Sequence, residues 1–114
     1  MPFQGDFMAE NVKKLTVAQV IERRNANPNL LLLDVRTADE WEEHRIPGSL
    51  HIPMHSIVSR IAELDVEQET IVLCEHGIRS ENVANYLAMQ TNIQDISTMQ
   101  GGLSEWTEQM ESDD

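Results

Sequence analysis

The sequence predicts an α/β domain, a mostly parallel sheet with helices on both faces. Three observations carry this. Short apolar runs alternate with segments whose apolar residues recur at helical spacing, the pattern of repeated strand-helix-strand crossovers. The runs Leu30-Leu31-Leu32-Leu33 and Ile71-Val72-Leu73 are apolar on both strand faces, as strands covered on both sides must be. A length of 114 residues is one domain's worth, without internal repeat or low-complexity segment.

The elements follow in order. Met1 to Lys13 reads as a partly ordered lead-in, residues 14–110 as the domain, and Glu111 to Asp114 as a frayed acidic tail. Thr16 is placed to cap a first helix in which Val17, Val20 and Ile21 share a face, with Gln19 completing a capping box. Asn25-Ala26-Asn27-Pro28-Asn29 ends that helix, and Leu30 to Asp34 is a buried strand. After Pro47-Gly48, a short strand from Leu50 to Ile52 stops at Pro53. Ile57, Val58, Ile61 and Ala62 form a second helical face. A strand from Thr70 to Cys74, a helix from about Ser80 to Gln90 built on Val83, Ala84, Leu87 and Ala88, and a strand from Ile93 to Thr98 complete the core. Leu103, Trp106 and Met110 mark a closing helix.

Composition narrows the function. Against 8 basic residues stand 20 acidic ones, a formal charge of -12 that disfavours nucleic acid and anionic membranes as partners. Asp39, Glu40, Glu42 and Glu43 cluster around Trp41, and more acids crowd the C-terminus; both groups read first as solvated faces that aid solubility, with a docking surface for a basic partner as the alternative. No apolar stretch approaches the roughly 20 residues that span a bilayer, and the N-terminus has neither the basic region nor the apolar core of a signal peptide. With one cysteine the chain forms no internal disulfide. The expectation is a soluble cytoplasmic protein, with subunit count left open.

That cysteine, Cys74, heads Cys74-Glu75-His76-Gly77-Ile78-Arg79-Ser80, between the strand ending at Leu73 and the following helix. A strand, a glycine-containing turn and a helix N-terminus make an anion cradle, because unpaired backbone N–H groups converge where the helix dipole is positive. A favourable helix terminus contributes up to ~2 kcal/mol to an anion. Glu75 opposes it by about 0.7 kcal/mol if solvated ~6 Å away, so the balance favours a thiolate nucleophile, with Arg79 as a further cation. The plain alternative is a buried, inert cysteine ending a strand. Gly77, Arg79 and the helix weigh against it.

Four segments in order are similar to the rhodanese family, the single-domain sulfurtransferases. They are Leu30 to Arg36 with its Asp34-Val35-Arg36 end, Glu40-Trp41 followed by Ile46-Pro47-Gly48-Ser49-Leu50-His51-Ile52-Pro53, Cys74 to Ser80, and Gly101-Gly102-Leu103-Ser104-Glu105-Trp106. The similarity runs from about Leu15 to Met110. It implies a five-stranded, three-layer rhodanese-like sheet in the order 1-5-4-2-3. It also implies sulfane-sulfur transfer through a Cys74 persulfide, from a donor such as thiosulfate or a persulfide to a thiol, cyanide or protein-thiol acceptor. No metal or organic cofactor is required. The loop residues Glu75, His76, Gly77, Ile78, Arg79 and Ser80 would bind substrate, chiefly through backbone amides, with Arg79 orienting an anionic donor.

Two positions depart from the family pattern. His44-Arg45 replaces the usual Gly-His before Ile46-Pro47-Gly48, and Glu75 stands where many thiosulfate-using members carry a basic residue. Glu75 is therefore expected to repel thiosulfate. Asp34 and Arg36 end a neighbouring strand, either as an ion pair or brace with Glu40 or the loop, or in direct contact with substrate. His51 and His55 have the spacing of helical metal ligands, but Pro53 between them opposes a helix. His76 either lines the pocket mouth or faces solvent. The rival activities are those of arginine-cysteine phosphatases and arsenate reductases, which need C-x5-R; Cys74 to Arg79 is C-x4-R, a narrower cradle, and no second cysteine is present to resolve an arsenate intermediate. A persulfide carrier or regulatory module without turnover is the non-enzymatic alternative.

Overall fold

The computed structural model describes Ala9 and residues 11–112. Its centre is strand β4, Thr70–Leu73, whose four residues are all buried. It lies between β2, Leu31–Asp34, and β5, Ile96–Met99, and the sheet is completed by β1, Val12–Leu15, and β3, Leu50–His51. The order is β1-β5-β4-β2-β3, and every neighbouring pair is parallel.

The two-residue period of a strand divides the core in two. Leu33, Val72, Cys74 and Ile96 point to one face, covered by α3, Ile57–Arg60, and by Val83, Ala84 and Leu87 of α4, Ile78–Gln90. Leu32, Ile71, Leu73 and Met99 point to the other, covered by Val17 and Val20 of α1, Val17–Ala26, and by Leu103 and Trp106 of α5, Gly102–Ser112. The short α2, Ala38–Glu43, buries none of its residues. Thr16 caps α1 as a capping box with Gln19, at 3.1 Å and 2.9 Å for the two reciprocal bonds.

The structure corrects several boundaries. Val12 and Lys13, placed by sequence in the lead-in, belong to β1, which pairs Val12 with Ile96 and Leu15 with Met99. Residues 1–8 and 10 of that lead-in lie outside the described residues. At the other end α5 continues through Glu111 to Ser112, so these two residues belong to the helix rather than to a frayed tail; Asp113 and Asp114 lie outside the described residues. The helical face of Ile57, Val58, Ile61 and Ala62 forms only in part. The helix proper stops at Arg60 and tightens into a 3-10 turn over Ile61–Glu63, which rotates the face, so Ile57 is buried while Val58 and Ala62 are exposed. No helix among the described residues is long and apolar enough to cross a membrane.

Candidate active site

Strand β4 delivers Cys74 to the carboxyl end of the sheet, where open α/β folds expose their ligand sites. Cys74 is 1% exposed, and its side chain shares the face of Val72, toward α4. The chain then turns through Gly77, whose φ of 103° lies in the left-handed region, and α4 begins at Ile78. This curl brings two buried N–H groups onto the sulfur. Gly77 N donates to Cys74 Sγ over 3.1 Å and Ser80 N over 3.3 Å. Both lie at the N-terminal end of a helix of 13 residues, where the macrodipole also favours negative charge.

A second helix terminus clamps the same junction from the opposite side. Leu103 N donates to Cys74 O over 2.8 Å and Ser104 N to Glu75 O over 3.0 Å. Gly102, at φ +65°, permits this approach, because a Cβ there would lie 2.4 Å from Glu75 O and 2.6 Å from Cys74 O. The obstruction is backbone and cannot swing aside. We expect Gly102→Ala to cost ~2–3 kcal/mol in chemical denaturation, combining left-handed strain with overlap. The unstrained Ser104→Ala should cost less than 1 kcal/mol, about the effect of an ordinary surface change.

The loop side chains separate into three roles. Ser80 is fully buried, with its hydroxyl on Gly77 O at 3.1 Å and on Thr98 Oγ1 at 2.7 Å. Its side chain thus fixes the loop to β5, and only its N–H faces the sulfur. His76 is exposed, and the Ile78 side chain is 72% exposed at the rim. Glu75 turns to Arg36, with Oε1 3.2 Å from Nη1. Thr98 escaped the sequence reading, since a threonine in a strand is unremarkable until the topology sets it opposite Ser80.

Asp34 and Arg36 form the brace. Asp34 is fully buried and Arg36 is 1% exposed. The guanidinium bonds both carboxylate oxygens of Asp34 at 2.9–3.0 Å, Glu40 O at 3.2 Å, Glu75 Oε1 at 3.2 Å, and also His44 O. Burial works against this charge, but hydrogen bonding and attraction from Asp34, then Glu75, outweigh it and raise the guanidinium above its ordinary value. One arginine thereby joins the end of β2, the C-terminal part of α2 and the cysteine loop.

Arg79 departs from expectation. Its two terminal nitrogens grip the carboxylate of Glu40 at 2.8 Å and 2.9 Å, a planar fork-on-carboxylate pair. Glu40 is accordingly more than part of a solvated acidic face: its Oε1 also accepts from Thr37 N at 2.9 Å in the capping box of α2. Hydrogen bonds from Arg79, opposed by partial burial and aided by Thr37, pull the Glu40 carboxyl from 4.5 down to about 2. A folded value below the unfolded one stabilises the protein above the unfolded value and ceases to do so as pH falls through the folded one. Glu40→Gln keeps the cap and removes the ion pair. We expect it to cost about 1 kcal/mol above pH 5, discounted because the pair is about one-third exposed, to cost progressively less as pH falls toward 2, and to cost nothing only below that. Urea denaturation of both proteins across that range measures this.

The histidines do not gather. His51 stacks on Trp41 with centroids 4.7 Å apart, and its Nε2 lies 2.8 Å from Arg36 O. His55 sits in the 3-10 turn Met54–Ser56 rather than on a helix with His51. Among the described residues no group of three or more His, Cys, Asp or Glu side chains is placed to hold a metal. The unusual pair His44-Arg45 serves packing: His44 Nε2 lies 3.1 Å from Thr107 Oγ1, and the Arg45 guanidinium lies 4.9 Å from the centre of the Trp41 ring.

Comparison with known proteins agrees with this fold. Residues 16–109 match the Rhodanese-like domain family. The chain is 35% identical over 89 residues to thiosulfate sulfurtransferase GlpE of Pseudomonas savastanoi pv. phaseolicola, covering 78% of this chain and 79% of that protein. Among solved structures, a rhodanese-related protein from Thermoplasma volcanium superposes with a TM-score of 0.76 at 25% identity, over 85% of this chain and 92% of the other. A rhodanese-like domain protein from Staphylococcus aureus does so with a TM-score of 0.75 at 26% identity, over 82% and 90%.

Proposed function

This chain belongs to the rhodanese-like domain family, and on that premise we propose that it is a sulfurtransferase that carries sulfane sulfur as a persulfide on Cys74. The observation that carries the reading is the pair of buried N–H donors, Gly77 and Ser80, aimed at the Cys74 sulfur from the N-terminal end of α4. Donors so placed suit the negative charge of a persulfide's terminal sulfur.

The reaction is a double displacement. The Cys74 thiolate attacks the outer sulfur of a donor such as thiosulfate; the donor's S–S bond breaks, and sulfite leaves with the electron pair. A thiol, cyanide or protein-thiol acceptor then attacks the terminal sulfur of the persulfide, the new S–S bond breaks, and the thiolate returns. No net redox change occurs. The mechanism needs Cys74 as a free thiol, which suits a reducing, cytoplasmic setting.

Two side chains act differently from the sequence expectation. Arg79 is held by Glu40, so its fork is already engaged rather than offered to the donor. Glu75 is paired with Arg36, so its repulsion of a dianionic donor is smaller than that of an isolated carboxylate. The C-x4-R spacing speaks against phosphatase chemistry.

Intact-mass measurement after incubation with thiosulfate tests the reading. A gain of one sulfur atom, reversed by cyanide, is expected, and its absence with every sulfane donor tried would overturn it. Turnover with cyanide, small thiols and a protein thiol then separates an enzyme from a carrier that loads but does not cycle.

A further inference from the structure

Only the end of a donor can reach the nucleophile. Cys74 is 1% exposed, so a transferable outer sulfur enters the cradle while the body of the molecule that carries it stays on the rim. That rim is the first turn of α4. Gly77 N and Ser80 N both bond Cys74 Sγ, which sets the sulfur at the open N-terminal end of the turn. Helical side chains lean toward the N-terminus, so those of Ile78 and Arg79, between the two donors, lean toward the mouth.

These two side chains meet a donor differently. Arg79 is already paired with Glu40 at 2.8 Å and 2.9 Å, and Arg36, the guanidinium beside Glu75, is paired with Asp34 as well. Asp34, Glu40 and Glu75 thus oppose two guanidiniums, an excess of one negative charge. A dianion finds neither guanidinium unpaired. Ile78, in contrast, is 72% exposed, while Ser80, further along the turn, is fully buried. Covering an aliphatic side chain beside the reactive sulfur favours a donor with an apolar body and does nothing for an inorganic one.

We propose that the sulfur donor of this protein is an organic sulfane compound of low negative charge, whose apolar body lies on Ile78 while its outer sulfur enters the cradle. The proposal rests on sulfur transfer through Cys74 and names the class of molecule that supplies it. In loading, the thiolate attacks the outer sulfur, the bond from that sulfur to the donor body breaks, and the body leaves with the electron pair. Glu40 is then a specificity-determining residue, since it withholds the Arg79 fork from an anionic donor.

Three stable donors separate charge from apolar contact: thiosulfate, a dianion, and methanethiosulfonate and benzenethiosulfonate, both monoanions. Their loading rates are read by intact mass at about pH 8, where an ordinary imidazole is neutral. Each rate is divided by that of the same donor with a small free thiol, which cancels intrinsic reactivity. On that scale benzenethiosulfonate should exceed methanethiosulfonate about fivefold, the effect of covering roughly 40 Å² of apolar surface. Ile78→Ser should remove most of that margin. Glu40→Gln should raise thiosulfate loading about fivefold and methanethiosulfonate loading about twofold, since the dianion feels the released charge twice over. Both gains should shrink at high salt, and circular dichroism confirms that each variant is folded. An aryl margin that is absent or survives Ile78→Ser, or a Glu40→Gln gain no larger for thiosulfate than for methanethiosulfonate, would overturn the proposal. Loading by none of the three donors would instead remove the sulfurtransferase reading, and the proposal with it.

Discussion

Cys74→Ser is expected to abolish sulfur transfer, by about 10³-fold or more, while leaving the fold intact. The two halves have separate physical grounds. Oxygen forms no persulfide, so the covalent intermediate disappears outright. The fold, in contrast, depends little on the sulfur. Cys74 is buried, but a serine hydroxyl accepts the same donors, Gly77 N and Ser80 N, and the α5 clamp on Cys74 O and Glu75 O involves backbone only. Circular dichroism and thermal melting should therefore match the native protein closely. Intact mass after thiosulfate should show no added sulfur. Retained transfer in a folded Cys74→Ser protein would refute a Cys74 persulfide.

Arg36→Ala should be the most damaging substitution to the fold, at ~3–5 kcal/mol, the cost of leaving a buried charge without its partner. Asp34 is fully buried, and the Arg36 guanidinium contacts both of its oxygens. After truncation only the backbone N–H of residue 36 would still reach Asp34 Oδ1, now 3.0 Å away. The carbonyls of Glu40 and His44 and the carboxylate of Glu75 would lose a donor as well. Arg36→Lys retains the charge but not the fork, and should recover part of the loss. A double substitution, Asp34→Asn with Arg36→Ala, should cost less than Arg36→Ala alone, since it removes the stranded charge. Urea denaturation measures all three. A loss below about 1 kcal/mol for Arg36→Ala would show that Asp34 does not depend on the guanidinium.

What was legible in the sequence was whatever depends on near neighbours along the chain. The Thr16-Gln19 box starts α1, the apolar runs of β2 and β4 demand cover on both faces, and Gly77 directly after Cys74-Glu75-His76 makes the turn into α4. Less visible were elements whose periodicity is weak. Strand β1 carries Lys13 and Lys14, exposed on opposite faces of an edge strand, and α2 has no buried residue, so neither shows a full apolar pattern. The Thr37-Glu40 capping box was the overlooked sign of α2. The sequence alone determined the alternation of the strongly patterned elements, the single cysteine and the glycine turn that follows it. Tertiary structure alone decided the partners of its charges: Glu75 to Arg36, Arg79 to Glu40, and Ser80 to Thr98. The first two pairs each join residues 39 apart in sequence and the third residues 18 apart, in elements that meet only once the sheet has ordered its strands. Local periodicity records which face of an element is buried. It carries no record of which distant charge that face will meet.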